Sequence, residues 1–273
     1  MQMKAARQTR MVSRTVCNKL DCLGDFLSGY VKNIRNRECC YLEFFAGPTE
    51  VICRQTGVSV PGLSRRAIGV QPSFDHYVLV EQPGGGEQKS LPASRDLSIV
   101  RGNIILNQTL HQVFDIIPRS NSILAIIDPP GYRPLRWSTM KKLIGYGTDW
   151  QGYRMDLLLL LPVETALLNN LRRPECRPSI TRFFGSSAWL AVYEGLENGR
   201  LDAGPAREML VKIYCDNFKQ TGYRYVESHN PFAAGHRSAY YIIWASDRES
   251  RLKNIRKIWA SPRFLPGELF RQP

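Results

Sequence analysis

Five short apolar runs constrain this chain more than anything else in it: YLEFF (41–45), YVLVE (77–81), SIVR (98–101), SILAII (122–127) and DLLLLL (156–161). They are continuous rather than alternating, the pattern of strands whose two faces are both covered by helices. Helix-like material lies between the later runs, 106–117 being the clearest, and strand–helix alternation of this kind builds a parallel sheet. Ahead of them, Leu20, Leu23, Phe26, Leu27, Tyr30, Val31 and Ile34 recur at spacings of three and four within 17–36, so one face of an N-terminal helix is apolar. Behind them, helices are expected at 163–171, 186–197 and 205–221, the last opened by Pro205 and stopped by Gly222. Two more strands, 223–227 and 239–245, precede a basic helix at 249–259. Residues 53–66 and 82–96 break the pattern, and EQPGGGEQKSLPASRD (81–96) reads as an exposed, mobile loop. The expected architecture is α/β: a basic arm and helix at 1–37, then one domain at 38–273. That domain holds a seven-stranded, mostly parallel sheet with a helical insertion at about 163–221.

The net charge of +13 is concentrated towards both ends. Lys4, Arg7, Arg10, Arg14, Lys19, Lys32, Arg35 and Arg37 load the first segment; Arg248, Arg251, Lys253, Arg256, Lys257 and Arg263 load the last. Such an excess favours a polyanionic partner, because each neutralised phosphate releases counterions. A solvated surface rich in Lys and Arg is the plainer account. The longest apolar run, LLLLLPV (157–163), falls far short of the roughly 20 residues that cross a bilayer. The basic MQMKAARQTRMVSR has no apolar core behind it, so no secretory signal is expected. Seven cysteines without a C-x-x-C pair, and no histidine at ligand spacing with them, read as free thiols in a reducing compartment. The expectation is a cytoplasmic protein with no metal site and no membrane association.

Ligands of open α/β sheets bind at the carboxyl ends of the strands. There this chain places Glu43-Phe44-Phe45-Ala46-Gly47-Pro48, then Glu81, then Gly102-Asn103, then Asp128-Pro129-Pro130-Gly131-Tyr132. Gly47 lets a ligand approach the backbone closely. Glu81 can accept hydrogen bonds from ribose hydroxyls, and Asn103 can address an adenine edge with its donor and acceptor. Each alone is also what an ordinary strand end or turn looks like; four in order point to a nucleoside-containing cofactor. The prolines after Asp128 fix φ and remove N–H donors, so that loop presents acceptors in a preset geometry. An amino group that must be held and aimed for alkylation needs such acceptors.

YLEFFAGP (41–48) resembles the opening block of the three-Cys-motif partner proteins, methyltransferase-like proteins associated with radical-SAM-type proteins that carry a three-cysteine motif. FDHYVLVE (74–81), IIDPPGY (126–132), FFGSSAW (183–189) and YYIIWAS (240–246) are similar to further blocks in order, as are Lys212, Tyr214 and Phe218. The resemblance runs from about residue 20 to 258. It implies a Rossmann-like class I methyltransferase fold, S-adenosylmethionine as cofactor and a three-Cys-motif radical-SAM-type partner. On the matching positions the cofactor-binding residues are Glu43, Phe45, Ala46, Gly47, Pro48, Glu81, Asn103 and Asp128. The catalytic loop is Asp128, Pro129, Pro130 and Tyr132.

Two positions depart from the pattern. Thr49 stands where the first block ends in glycine, and Gly131 where amino-methyltransferases carry an aromatic, which leaves Tyr132, Trp137 or Tyr146 as a stacking surface. Two readings follow. One is a methyltransferase acting on a nucleic acid or another anionic substrate; the other is a non-catalytic subunit of the same fold that binds nucleic acid or the partner. His229 and His236, flanking NPFAAG, are further candidates for a base, and RRPECRP (172–178) for a phosphate grip. A nicotinamide oxidoreductase would need a G-x-G-x-x-G that the sequence lacks. With no C-x-x-x-C-x-x-C run, the chain is not itself the radical enzyme.

Overall fold

The computed structural model describes residues 10–34, 38–83, 91, 96–117, 122–231, 240–261 and 264. A two-residue strand, β1 (Met11–Val12), leads into the amphipathic helix α1 (Arg14–Val31), which stops short of the expected 36. Strand β2 (Cys39–Phe44) is buried along its whole length. Short strands β3 (Glu50–Cys53) and β4 (Ser59–Pro61) and helix α2 (Leu63–Gly69) follow, in a stretch expected only to break the pattern. Next come β5 (His76–Glu81), β6 (Leu97–Arg101), α3 (Asn107–Ile116), β7 (Ser122–Ile127), α4 (Trp137–Ile144) and β8 (Asp156–Leu161). Most of the loop expected at 82–96 lies outside the described residues.

The insertion starts as a π-helical turn (Val163–Leu168) that runs into α5 (Asn169–Leu171) and a 3₁₀ turn (Pro174–Cys176). Three longer helices complete it: α6 (Arg177–Phe184), α7 (Trp189–Glu197) and α8 (Ala203–Gln220). α8 begins two residues before Pro205, which is tolerated because N–H groups in a first turn have no intrahelical acceptor. Gly222, at φ +95°, lies just past its end. Strands β9 (Tyr225–His229) and β10 (Tyr241–Ser246) and helix α9 (Glu249–Trp259) close the fold.

The main sheet has seven strands in the order β6-β5-β2-β7-β8-β10-β9. β6, β5, β2, β7 and β8 run parallel, while β10 is antiparallel to both its neighbours. The architecture is therefore α/β with a mostly parallel seven-stranded sheet. Alternate residues of each strand serve two separate cores, as the pleat requires. Leu42, Val78, Ala125, Leu157 and Ile243 belong to the core built with α3, α4, α6, α7 and α8. Tyr41, Leu79, Leu124, Leu158 and Trp244 belong to the core built with α1, α2 and α9. Each such leucine or valine contributes roughly 1.5–3 kcal/mol. A second sheet, order β1-β3-β4, pairs Met11 in parallel with Ile52 and so brings the chain ahead of α1 to the turn that follows β2.

The cations near the end of the chain are mostly engaged. Asp156, the first residue of β8, accepts a hydrogen bond from Tyr30 Oη at 2.6 Å and pairs with Arg251 Nε at 3.2 Å, the two charged side chains being 4% and 6% exposed. Burial pushes the Asp156 carboxyl above its ordinary range, against the pull of Arg251. Arg248 pairs with buried Asp149, Arg256 with Glu227, and Lys253 with Glu249. This differs from a free basic helix waiting for a polyanion. Lys4, Arg7, Arg35, Arg37 and Arg263 lie outside the described residues. Among the described residues no helix is long and apolar enough to cross a membrane. All seven cysteines are free and buried.

Replacing Arg251 by Leu leaves Asp156 buried without its cation. The cost should be about 3–5 kcal/mol, read as a lower urea midpoint at unchanged slope.

Candidate functional site

Strand order reverses between β2 and β7, the place where open α/β sheets hold ligands. A hollow of about 330 Å³ opens there. Its floor is the turn after β2, with Glu43, Phe45, Ala46, Gly47 and Pro48; one wall is Asp128, Pro129 and Pro130 after β7. The facing wall is the segment from Arg10 through Val16 and Lys19 of α1, and Gln82 and Tyr240 complete the rim.

The floor is shaped by two close approaches. Phe45 adopts φ +62°, a left-handed conformation costly for a residue with a Cβ, and the next amide, Ala46, donates to the Val80 carbonyl at 2.9 Å. The chain thus leaves β2 by folding against β5. A Cβ built on Gly47 would meet nothing within 4 Å, so this backbone faces open space. Gly62 is the opposite case: a Cβ there would lie 2.0 Å from the Pro48 carbonyl oxygen, and its amide donates to the Thr49 carbonyl at 2.7 Å. The turn is pinned from Gly62, with Thr49 buried behind it.

Glu43 is buried, and burial pushes its carboxyl up to about 8. Hydrogen bonds from Tyr41 Oη at 2.8 Å and from the Gly47 amide oppose the rise, while the nearby Asp128 charge adds to it. At neutral pH the hollow therefore has an uncharged acid on its floor. Asp128 accepts from Lys19 Nζ at 2.6 Å; the lysine side chain is 9% exposed and the aspartate 21%. Burial, the largest single influence, favours the neutral amine, but the Asp128 carboxylate and Tyr240 together outweigh it and hold the Lys19 ammonium above its ordinary range. The ammonium also lies 4.8 Å from the centre of the Tyr240 ring. Gln82 Nε2 is buried in the rim with no hydrogen-bond partner among the described residues.

Six of the expected cofactor residues, Glu43, Phe45, Ala46, Gly47, Pro48 and Asp128, line the hollow, as do Pro129 and Pro130. Glu81, Asn103 and Tyr132 do not. Glu81 is bonded to Arg101 Nε at 3.1 Å, and its neighbour Gln82 takes the place at the rim. Asn103 Oδ1 accepts from the Ile105 amide at 3.0 Å and closes a turn. Tyr132 is 3% exposed, edge-to-face with Phe183 in the core rather than turned to the hollow. Trp137 packs on Tyr214 and Phe218, and Tyr146 on Phe114, so neither offers a stacking surface there. His229 stacks on Trp259, with Nε2 2.7 Å from the Phe264 carbonyl oxygen, and His236 lies outside the described residues.

Lys19, Gln82 and Tyr240 were not expected at the site. For Lys19 a signal existed: it stands four residues before Leu23 and seven before Phe26, on the apolar stripe of α1, where a cation needs a buried partner. Among the described residues no cluster of three or more His, Cys, Asp or Glu side chains could hold a metal ion.

No protein-family model matches the sequence, and no curated protein matches it either. Among solved structures, the chain is similar to the crystal structure of protein LPL1258 from Legionella pneumophila strain Philadelphia 1, assigned to family DUF519. The sequence identity is 11%, the match covers 92% of this chain and 93% of that one, and the TM-score is 0.45. At that level the likeness says nothing about activity.

Glu43 holds a proton in the folded protein that the unfolded chain, titrating near 4.5, has released. Its contribution to stability therefore declines as pH rises from about 5 to about 8 and stays low above that. Glu43→Gln removes this titration, so the melting temperature of the variant relative to the parent should climb in scans from pH 5 to about pH 8 and level off above that.

Proposed function

We propose that the chain is an S-adenosylmethionine-dependent methyltransferase acting on an amino group. The observation that carries this reading is the hollow at the strand-order reversal, lined by Glu43, Gly47 and Asp128 and rimmed by the orphaned Gln82 Nε2. Its volume, about 330 Å³, lies at the small end of the roughly 300–1,000 Å³ of ligand sites. The bound cofactor would supply an electrophilic methyl group. Glu43 and the side-chain-free turn at Gly47 would accommodate its amino-acid end, and Gln82 Nε2 would donate to its ribose in place of the carboxylate expected at Glu81.

Asp128 serves the acceptor instead. Its carboxylate takes a hydrogen bond from an N–H of the incoming amine and aims the nitrogen lone pair towards the methyl group. In the free protein that position is taken by the Lys19 ammonium, which the substrate amine must displace. The resemblance of YLEFFAGP and IIDPPGY to three-Cys-motif partner proteins supports the reading and points to a radical-SAM-type protein as partner. A non-catalytic subunit is the second reading, favoured by the Lys19–Asp128 pair and by the burial of Tyr132.

Calorimetry should show S-adenosylmethionine binding to the parent, and about tenfold weaker binding to Gln82→Leu through the lost hydrogen bond. No heat at millimolar cofactor ends the proposal. Asp128→Ala should keep the cofactor and lower transfer of labelled methyl into total RNA by about 100-fold or more. Cofactor bound by the parent without any turnover would leave the subunit reading in its place.

A further inference from the structure

The ends of the chain are not the only basic segments. Two internal stretches, 131–142 and 172–187, together hold eight cations against one carboxylate, Glu175. Contacts stitch them into one surface. Ser179 Oγ donates to Tyr132 Oη at 3.4 Å, Arg133 Nη2 reaches Cys176 Sγ at 3.5 Å, and Phe183 packs on Tyr132. Gly185, at φ +72°, has no room for a side chain, because a Cβ would lie 2.3 Å from Trp137 Cδ1. The apolar members of both stretches point inward, which leaves Arg133, Arg136, Arg172, Arg173 and Arg182 exposed. Arg172 pairs with Glu197 at 2.8 Å. Among the described residues, Arg136, Arg173 and Arg182 have no carboxylate partner, unlike Arg251, Lys253 and Arg256 of α9. Along the chain the face adjoins the site: Pro130 lines the hollow, and Arg133 follows three residues later in the sequence.

We infer that this arginine face is the docking surface for a nucleic-acid strand, held by its phosphates so that one base can reach Asp128. The inference deepens the methyltransferase reading and rests on it for the delivery of the base; phosphate binding stands without it. Guanidinium forks match pairs of phosphate oxygens, and Ser186 and Ser187, exposed just past Arg182, add hydroxyl donors of the kind that position a backbone. The grip thus sits on the insertion and the loop after β7, not on the basic ends of the chain.

The test is fluorescence anisotropy of the full chain with a labelled 20-nucleotide single-stranded RNA. The parent is compared with the triple variant R136E/R173E/R182E and with K32E/K257E, which reverses two exposed cations of α1's end and α9. The triple variant should bind at least about tenfold more weakly, with its logarithmic salt slope lowered by about 2, while the control stays within about twofold of the parent. Circular dichroism checks that all three proteins melt alike. A triple variant that binds like the parent, a control that loses as much, or a parent that ignores RNA at 50 mM salt overturns the inference. So does a poly-glutamate peptide that competes as well as unlabelled RNA. Cofactor calorimetry on the same proteins keeps the two proposals apart: a charge-dependent RNA grip without any cofactor heat sinks the methyltransferase and leaves the docking surface.

Discussion

A strand covered on both faces can carry a charged group only near its ends, and only if that group finds a partner or loses its charge. Four carboxylates at the strand ends of this sheet show how the constraint is met. Asp156 begins β8 and is met by Arg251 and Tyr30. Glu81 ends β5 and is met by Arg101; Asp128 follows β7 and is met by Lys19. Glu43, one residue from the end of β2, has no ion pair among the described residues and keeps its proton instead. The hollow lies where the two differently solved cases, Glu43 and Asp128, face each other across the reversal in strand order.

Much of this was legible in the sequence, for identifiable reasons. A continuous apolar run has few options besides a doubly covered strand, so all five runs lie within two residues of the observed strand limits. The turn after β2 and the Asp128-Pro129-Pro130 loop were legible because glycine and proline write backbone geometry directly into the sequence. What stayed hidden depends on pairing between distant segments. β1 and β3 are too short to show a pattern, and their parallel pairing spans some forty residues of chain. Glu81 and Asn103 stand out in the sequence by position alone; which acceptor a side chain satisfies is decided by neighbours such as Arg101 and the Ile105 amide. Tyr132 is expected at the hollow because it follows Gly131, but the aromatic cluster of α6 and α8 offers a large ring a better burial.

The distribution of charge separates the hollow from the arginine face. At the two strand ends that form the hollow there is an ion pair on one wall and an uncharged acid on the floor. Outside it, on the insertion and the loop after β7, several arginines face solvent without a carboxylate opposite. Net charge alone could not distinguish these places. α9 looks as basic in sequence as the insertion does, yet Arg248 and Arg251 serve to hold the helix against Asp149 and Asp156.

The contact between α1 and α9 sets the order in which the protein can be completed. Asn33 Nδ2 bonds Asn254 Oδ1 at 2.7 Å, and Tyr30 lies beneath Arg251 at 4.6 Å, each partner more than two hundred residues further along the chain. During synthesis α1 leaves the ribosome early and can pack on α2 and the first strands, but the side that α9 covers stays open until the end of the chain has emerged. Because the same helix supplies Lys19 and a wall of the hollow, a nascent chain that has not yet made α9 has no finished hollow.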